Sequence, residues 1–150
     1  MTAALRGTDP GSVSRLGGLL RSTAATVCAD VSGLSPETPI AQVCLATAGH
    51  VDAIGAALQV HAQELSEAAA ALARLQERAA AAGLVLIDWT VTEPFGVVPA
   101  DIAARRATER PQLQAQADRL ASRLARTRAQ LARQLTQARA QLAAAAAAAR

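Results

Sequence analysis

Large aromatic side chains are almost absent from the sequence, which has no Tyr, one Trp (Trp89) and one Phe (Phe95) among 150 residues. A compact globular core normally draws much of its buried area from aromatic and branched side chains. Here alanine occupies 40 positions and leucine 18. Because methyl-sized side chains let helices approach closely but fill little volume, this composition predicts long helices in lateral contact.

Motifs for catalysis or cofactor binding are also lacking. The sequence contains no G-x-G-x-x-G, no Walker loop, no G-x-S-x-G and no C-x-x-C. The two histidines, His50 and His61, are eleven residues apart, whereas two metal ligands on one helix lie three or four residues apart. A coiled-coil rod also lacks the concave pocket that catalysis needs. We therefore expect no enzyme activity, no cofactor and no metal.

Lysine is absent, and the fifteen basic residues are all Arg. Residues 1–104 hold five Arg against ten acidic residues, a net charge of −5, whereas residues 105–150 hold ten Arg against two acidic residues, a net charge of +8. The Arg-rich segment 105–139 is either a solvated face that attracts the acidic part of the chain or a surface for nucleic acid or anionic lipid. The solvated face is favoured, because Arg alternates with Ala and Gln without aromatic residues to stack on bases, and nucleic acid is not the expected partner.

Export and membrane signals are not visible in the sequence. The start, MTAALRGTDP, lacks the apolar run of a secretory signal peptide. The longest strongly apolar stretch, residues 79–87, falls far short of the ~20 residues that a membrane helix needs. We expect no transmembrane segment, and a protein that is cytoplasmic or exported without a cleaved signal peptide.

The first helix is predicted at 10–33, after a leader at 1–9. Asp9 is expected to cap it and Pro10 to occupy its first position. The pair Gly17-Gly18 costs about 1 kcal/mol per residue relative to Ala, and close helix approach is the expected compensation. The turn SGLSPETP then predicts an antiparallel second helix.

The second helix, predicted at 39–82 and closed by Gly83, carries a heptad seam of about five and a half repeats. Its apolar residues alternate in steps of four and three, with only Thr47 and His61 polar. The seam consists of Ile40, Cys44, Thr47, Val51, Ile54, Leu58, His61, Leu65, Ala68, Leu72, Leu75 and Ala79. Such a segment is typical of coiled coils and helical bundles.

The connector, residues 84–98, changes to strand periodicity. Its β-branched and aromatic residues Val85, Ile87, Trp89 and Val91 recur at every second position and alternate, from Ile87 onward, with Asp88, Thr90 and Thr92. A turn is predicted at residues 93–96, followed by a short return arm. An isolated hairpin is marginal in water, so this one must pack on helix ends or on a partner. Trp89 and Phe95 either plug the open end of a helical bundle or anchor a partner.

The third helix is predicted at 99–145, with Pro111 as a kink or as the start of its regular part. A narrow seam again recurs through it, and we expect it to run antiparallel to helix two, with Leu124 level with Leu58. The predicted fold class is all-α: an elongated antiparallel helical hairpin or three-helix coiled-coil bundle, in a single domain 1–150, with a short β-like connector at 84–98.

The two cysteines, Cys28 and Cys44, are each eight residues from Pro36. A hairpin folded about that proline brings them to the same height, where a disulfide is possible. The alternative is a pair of buried thiols that serve as small apolar side chains.

The segment DPGSVSRLGGLLRSTAATV resembles the first helix of the small helical-hairpin proteins of actinobacterial type VII secretion, the WXG-like superfamily. The resemblance covers residues 9–82, and the interruption DWTVTEPFGVVPAD is similar to that of the longer relatives. It implies a secretion-associated partner, adaptor or substrate. The family's Trp-x-Gly turn and Tyr-containing export signal have no counterpart in the sequence, so no functional residue carries over.

The function predicted is a non-catalytic helical module that binds a protein partner, as a homo- or heterodimer, through its helix faces. A binder of nucleic acid or anionic lipid and a structural coiled-coil homodimer are the alternatives. Helix one covers only half of helix two, so an apolar face next to the connector is expected to stay open. The predicted partner interface there comprises Leu65, Leu72, Leu75, Trp89, Val91 and Phe95.

Overall fold

The computed structural model describes residues 9–35 and 37–148. Three helices contain most of them, and two short strands connect the second helix to the third: α1 (Pro10–Val31), α2 (Pro39–Ala81), β1 (Val85–Ile87), β2 (Thr90–Thr92) and α3 (Ala100–Ala148). The predicted all-α fold with a β-like connector is confirmed. The predicted leader, apart from Asp9, and Pro36 in the first turn lie outside the described residues.

Helix α1 begins at the predicted cap. The Asp9 carboxylate accepts hydrogen bonds from the backbone N–H groups of Gly11 at 3.2 Å and Ser12 at 2.8 Å, and from the Ser12 hydroxyl at 2.7 Å. The Ser12 hydroxyl and these backbone donors hold the pKa of Asp9 below its ordinary value, because they stabilise the charged form. The helix ends at Val31, two residues earlier than predicted.

Both ends of α2 also follow the local sequence signals. At its start, the Thr38 hydroxyl accepts a hydrogen bond from the backbone N–H of Ala41. At its end, Gly83 takes the left-handed conformation, with φ of 70°. The N–H of Gly83 donates to the carbonyl of Ala80, and the N–H of Leu84 to that of Ala79. This pair of bonds is the Schellman motif, so the predicted closure by Gly83 is confirmed.

The chain forms two compact units, each with its own internal packing. The hairpin unit comprises Leu65–Arg126, with the second half of α2, the two strands and the first half of α3. The three-helix unit comprises Asp9–Glu64 and, within the described residues, 127–148.

In the three-helix unit, α1 packs on α2 through the smallest side chains available. The buried residues recur every seven positions on both helices: Gly17, Ala24 and Val31 on α1, and Ala41, Ala48, Gly55 and Ala62 on α2. At the point of closest approach, a Cβ built on Gly17 would lie 2.7 Å from the carbonyl oxygen of Gly55. The close approach expected at Gly17 is thereby confirmed.

The predicted seam of α2 is wrong between Ile40 and Ile54, whereas its next two residues, Leu58 and His61, are buried as predicted. Ile40 is exposed, and Cys44, Thr47, Val51 and Ile54 are only partly buried. Contact through Gly and Ala requires the smallest residues at the interface, and these lie one position away from most of the larger seam residues. The branched side chains are therefore displaced to the flanks of the contact.

The core of the hairpin unit follows the predicted seam closely. A buried cluster joins the end of α2, the connector and α3, and Trp89 and Leu120 pack against it. Its buried members are Leu72, Leu75, Ala79, Ala82, Leu84, Leu86, Val91, Leu113 and Ala117. In this unit the helices contact each other through leucine, so the apolar residues that define the predicted seam are also the residues that are buried.

The hairpin turns at Asp88-Trp89 and not at residues 93–96. Leu86 pairs with Val91 and Ile87 with Thr90, which leaves a two-residue loop. Asp88 has φ of 44° and Trp89 has φ of 72°, the signs that a type I′ turn requires at both central positions. A type I′ turn usually contains Asn-Gly, so the bulky Trp89 concealed the turn in the sequence.

Helix α3 continues without a break from Ala100 to Ala148, with Pro111 inside it. Within the hairpin unit, Arg78 of α2 bonds Gln116 and Arg123 of α3 bonds Glu67, so α3 is antiparallel to α2 there, as predicted. The predicted alignment of α3 with α2 is wrong by one heptad, because Leu124 clusters with Leu65 and Ala68 and not with Leu58. Residues 93–99, which lie between β2 and α3, lengthen the connector and shift the register.

Candidate interaction surfaces

The predicted partner interface is not an open surface in the structure. Leu65, Leu72, Leu75 and Val91 are all buried within the hairpin unit. The connector folds back over the two helices and covers the face that was expected to stay open. For these four residues the interface prediction is therefore corrected, and internal packing explains their apolar character.

Trp89 and Phe95, the two large aromatic residues, have opposite environments. Trp89 is partly buried and packs against the core clusters of the hairpin unit. Phe95 has a relative exposure of 110%, and its neighbour Val97 has 104%. Trp89 therefore belongs to the internal packing of the hairpin unit, where it meets Leu65 and Ala68 well before the end of α2, so the prediction that it plugs the helical end is wrong. Phe95 takes no part in this packing.

Gln114 of α3 holds the hairpin in place, a role that the sequence analysis missed. Its side-chain oxygen accepts a hydrogen bond of 2.8 Å from the backbone N–H of Val91. Its side-chain nitrogen donates to the carbonyl of Trp89 at 2.9 Å and to the Asp118 carboxylate at 2.8 Å. The side-chain amide of Gln114 thus provides partners for the N–H of Val91 on the unpaired edge of β2 and for the carbonyl of Trp89 in the turn.

Arg106 of α3 was also missed. It is buried, and its guanidinium lies against the end of α2, where a Cβ built on Gly83 would be 2.9 Å from Nη2. A cation at this position is favourable because the carbonyl groups at a helix C-terminus carry partial negative charge. Its Nε has no hydrogen-bond partner.

A shallow groove runs along α2 and α3 on the hairpin unit. Ala71, Leu75 and Leu120 form its apolar lining, and Arg74, Arg78 and Gln116 its polar side. Its volume is about 290 Å³. The groove combines an apolar floor with positive charge, and no acidic side chain lines it.

In the three-helix unit, one face of α2 is largely exposed, although Ala53 and Val60 on it also line cavities shared with α3. This face, termed the α2 face, consists of Leu45, Gly49, Ala53, Ala56 and Val60, which fall within about 80° on a helix of 100° per residue. Leu45 is 41% exposed and Val60 61% exposed. A Cβ built on Gly49 would meet nothing within 4 Å.

Charge is scarce around the α2 face. Asp52 is the single acidic or Arg residue between positions 40 and 63, and it forms an ion pair of 3.0 Å with Arg21 of α1. By length and composition alone α2 is apolar enough to cross a membrane, as the core helix of a soluble protein also can be. Only 17% of its most apolar 18 residues is buried, so internal packing does not use up the apolar surface of α2.

His61 is the main polar group in the core of the three-helix unit. It is 6% exposed, and its Nδ1 has no hydrogen-bond partner. Burial lowers its pKa from the ordinary value of 6.5, and the nearby Arg128 acts in the same direction, whereas Glu64 opposes both. A cavity of about 130 Å³ adjoins it, beside the hydrogen bond of 2.6 Å from Thr127 to Glu64.

Metal binding finds no support among these groups. Within the residues that the structure describes, no three His, Cys, Asp or Glu side chains are grouped to hold a metal ion. The absence of a metal from the working protein stays a prediction.

Several arginines of α3 pair with acidic groups of the chain itself. Arg110 lies 3.5 Å from Glu93, and Arg123 lies 3.1 Å from Glu67. These pairs are about half exposed, so each contributes little to stability. They nevertheless favour the interpretation of the Arg-rich segment as a solvated face that attracts the acidic part of the chain.

Cys28 and Cys44 are both free thiols in the structure. Cys28 is exposed, so the alternative in which both serve as buried apolar groups is wrong for Cys28. Cys44 is partly buried. A disulfide between them stays a prediction for oxidising conditions.

Comparison with known proteins gives no match: no protein-family model, characterised protein or solved structure is significantly similar to the chain. The resemblance to the WXG-like superfamily therefore stays a prediction.

Proposed function

We propose that the protein is a non-catalytic helical module that binds another protein through helix faces. The observation that carries this proposal is the α2 face, an uncharged apolar strip that packing within the three-helix unit leaves largely exposed. Large exposed apolar surfaces in folded proteins mark sites of interaction. The exposed Leu16 and Leu19 of α1 belong to the same unit.

A helix is the partner that suits this face. Its three central residues are Gly or Ala, which allow another helix to approach closely, and Leu45 and Val60 at the two ends can contact side chains of that helix. The chain already uses such packing between α1 and α2. The partner expected is therefore a helix with a complementary apolar strip, in a second copy or in a different protein.

The proposal is tested by charging the face without disturbing the fold. The double variant Leu45→Glu with Val60→Glu alters two exposed side chains, and Ala129→Glu with Ala140→Glu is the matched control on exposed positions of α3. Tagged wild-type protein and both variants are compared by quantitative co-purification from the native cells, after circular dichroism has established equal helicity. A partner retained by the control and lost from the face variant supports the proposal. Equal retention by all three contradicts it.

An association with type VII secretion, as partner, adaptor or substrate, rests on the resemblance of residues 9–82 alone. The identity of the co-purified partner tests it.

The rival function, binding of nucleic acid or anionic lipid by the Arg-rich segment, differs in its response to salt. Binding through several Arg contacts weakens steeply as salt increases, whereas apolar helix contacts do not.

A further inference from the structure

The loop between β2 and α3 presents two apolar side chains entirely to solvent. Phe95 and Val97 are as exposed as in an extended peptide. Pro94 and Pro99 flank them and fix the backbone at two positions, which reduces the conformational entropy that the loop loses when it binds. An exposed aromatic side chain on a restrained loop has the character of an interface anchor.

The charge around the loop limits what it can bind. No basic residue occurs between Arg78 and Arg105, and this stretch contains Asp88, Glu93 and Asp101. Glu93 is paired with Arg110 of α3 at 3.5 Å, and Asp101 on the other side of Phe95 leaves the loop with a net negative charge. This charge disfavours an anionic membrane or a nucleic acid as the receptor. An apolar pocket with a basic rim is the complementary surface.

The groove on the hairpin unit has these properties. Its volume of about 290 Å³ exceeds the ~150 Å³ that suffices for a benzene ring in a protein cavity. Leu75 and Leu120 supply apolar contact, and Arg74 supplies a guanidinium for the ring face or for a carboxylate. Because Phe95 is entirely exposed, it does not occupy the groove of its own chain.

We propose that Phe95 of one chain docks into the groove of a second copy, with the acidic flanks of the loop facing Arg74 and Arg78. Loop and groove belong to the same unit, so two copies can exchange the contact reciprocally, as in an isologous dimer. This contact uses neither Leu45 nor Val60 and does not depend on the α2 face.

The test uses the full chain and a pair of complementary variants. Phe95→Asp removes the anchor and leaves the groove intact, whereas Arg74→Glu reverses the charge of the groove and leaves the loop intact; both residues are exposed. Sedimentation velocity over a range of concentrations is expected to show self-association of the wild type, weakened about tenfold or more in either variant. Mixing the two variants restores one of the two contacts, so a mixed dimer is expected to form more readily than either variant associates alone.

A labelled peptide of residues 92–101 provides an independent readout by fluorescence anisotropy. It is expected to bind Phe95→Asp protein and not Arg74→Glu protein. The matched control is Ile87→Asp, which charges another exposed apolar side chain of the connector and is expected to associate like the wild type. A wild type that stays monomeric and does not bind the peptide overturns the proposal. Self-association that persists unchanged in Phe95→Asp also overturns the proposal. If this self-association is lost in the double variant Leu45→Glu with Val60→Glu, it is assigned to the α2 face.

Discussion

Gly17 and Gly55 bring the backbones of α1 and α2 into direct contact. A Cβ built on either glycine would lie 2.7 Å from the carbonyl oxygen of the other. Any larger residue at either position forces the helices apart and separates the buried alanines on both sides. The helix pair therefore depends on small residues for the contact that aromatic and branched side chains provide in other proteins.

Replacement of Gly55 by Ala is expected to lower the free energy of unfolding by about 1–3 kcal/mol, because the added methyl group also meets Cγ of Arg21 at 2.6 Å. Gly49 provides the matched control on the same helix, since a Cβ there has open space around it. Gly49→Ala is expected to stabilise by up to about 1 kcal/mol through helix propensity. Urea denaturation measures both, and equal effects of the two substitutions contradict the close contact.

Trp89→Ala and Phe95→Ala are expected to differ sharply in stability. Trp89 packs against both core clusters of the hairpin unit, so its removal costs about 2–4 kcal/mol. Phe95 is wholly exposed, and its removal is expected to change the free energy of unfolding by less than about 0.5 kcal/mol. Thermal unfolding followed by circular dichroism distinguishes the two. A large loss in Phe95→Ala would show that the loop packs on the fold.

Gln114→Leu tests how the hairpin is anchored. The substitution retains the size of the side chain but leaves the N–H of Val91 and the carbonyl of Trp89 without their partner, which is expected to cost about 1–3 kcal/mol. Gln112→Leu, at an exposed position two residues away, is the control and is expected to be nearly neutral. Faster hydrogen exchange at Val91 in the first variant alone is the specific signature, and equal exchange in both contradicts the anchoring role.

His61 is expected to make stability fall as the pH decreases. Its folded-state pKa is lowered, so below the ordinary value of 6.5 the unfolded chain binds a proton more readily than the folded chain. The free energy of unfolding is therefore constant above about pH 6.5 with respect to this group and decreases below it. Between about pH 6.5 and 5, before most carboxylates titrate, His61→Leu is expected to flatten the profile. His50→Leu is the control, and a profile unchanged by His61→Leu contradicts the assignment.

Periodicity and capping signals predicted the helices well, because Asp9 and Gly83 each fulfil a local backbone requirement. In the hairpin unit, Leu72 and Leu75 lie where the heptad seam puts them, since large apolar residues are the ones that packing buries. The heptad seam predicted the wrong buried residues around Ile40, because glycine and alanine form the close contact of α2 with α1. The seven-residue spacing of Ala41, Ala48 and Gly55 was the available signal.

The connector was harder to interpret. Residues 93–96 have the composition of a turn, whereas the actual turn contains Trp89 in a left-handed conformation that few bulky residues adopt. Tertiary packing of its ring on α2 and α3 and the bonds to Gln114 stabilise that conformation. Such long-range contacts are not visible in a single sequence. The register error at Leu124 has a separate cause, because residues 93–99 add length between the hairpin and α3 that a count centred on residues 89–91 leaves out.

Titration calorimetry with the partner that wild-type protein retains tests the central claim most directly. Docking on the α2 face buries apolar surface, so we expect a negative heat-capacity change, an affinity that does not fall as salt increases, and loss of binding in Leu45→Glu with Val60→Glu but not in Ala129→Glu with Ala140→Glu. A steep decrease of affinity with salt, together with unchanged binding by the Leu45→Glu and Val60→Glu variant, would contradict the account and assign binding to the arginines of α3.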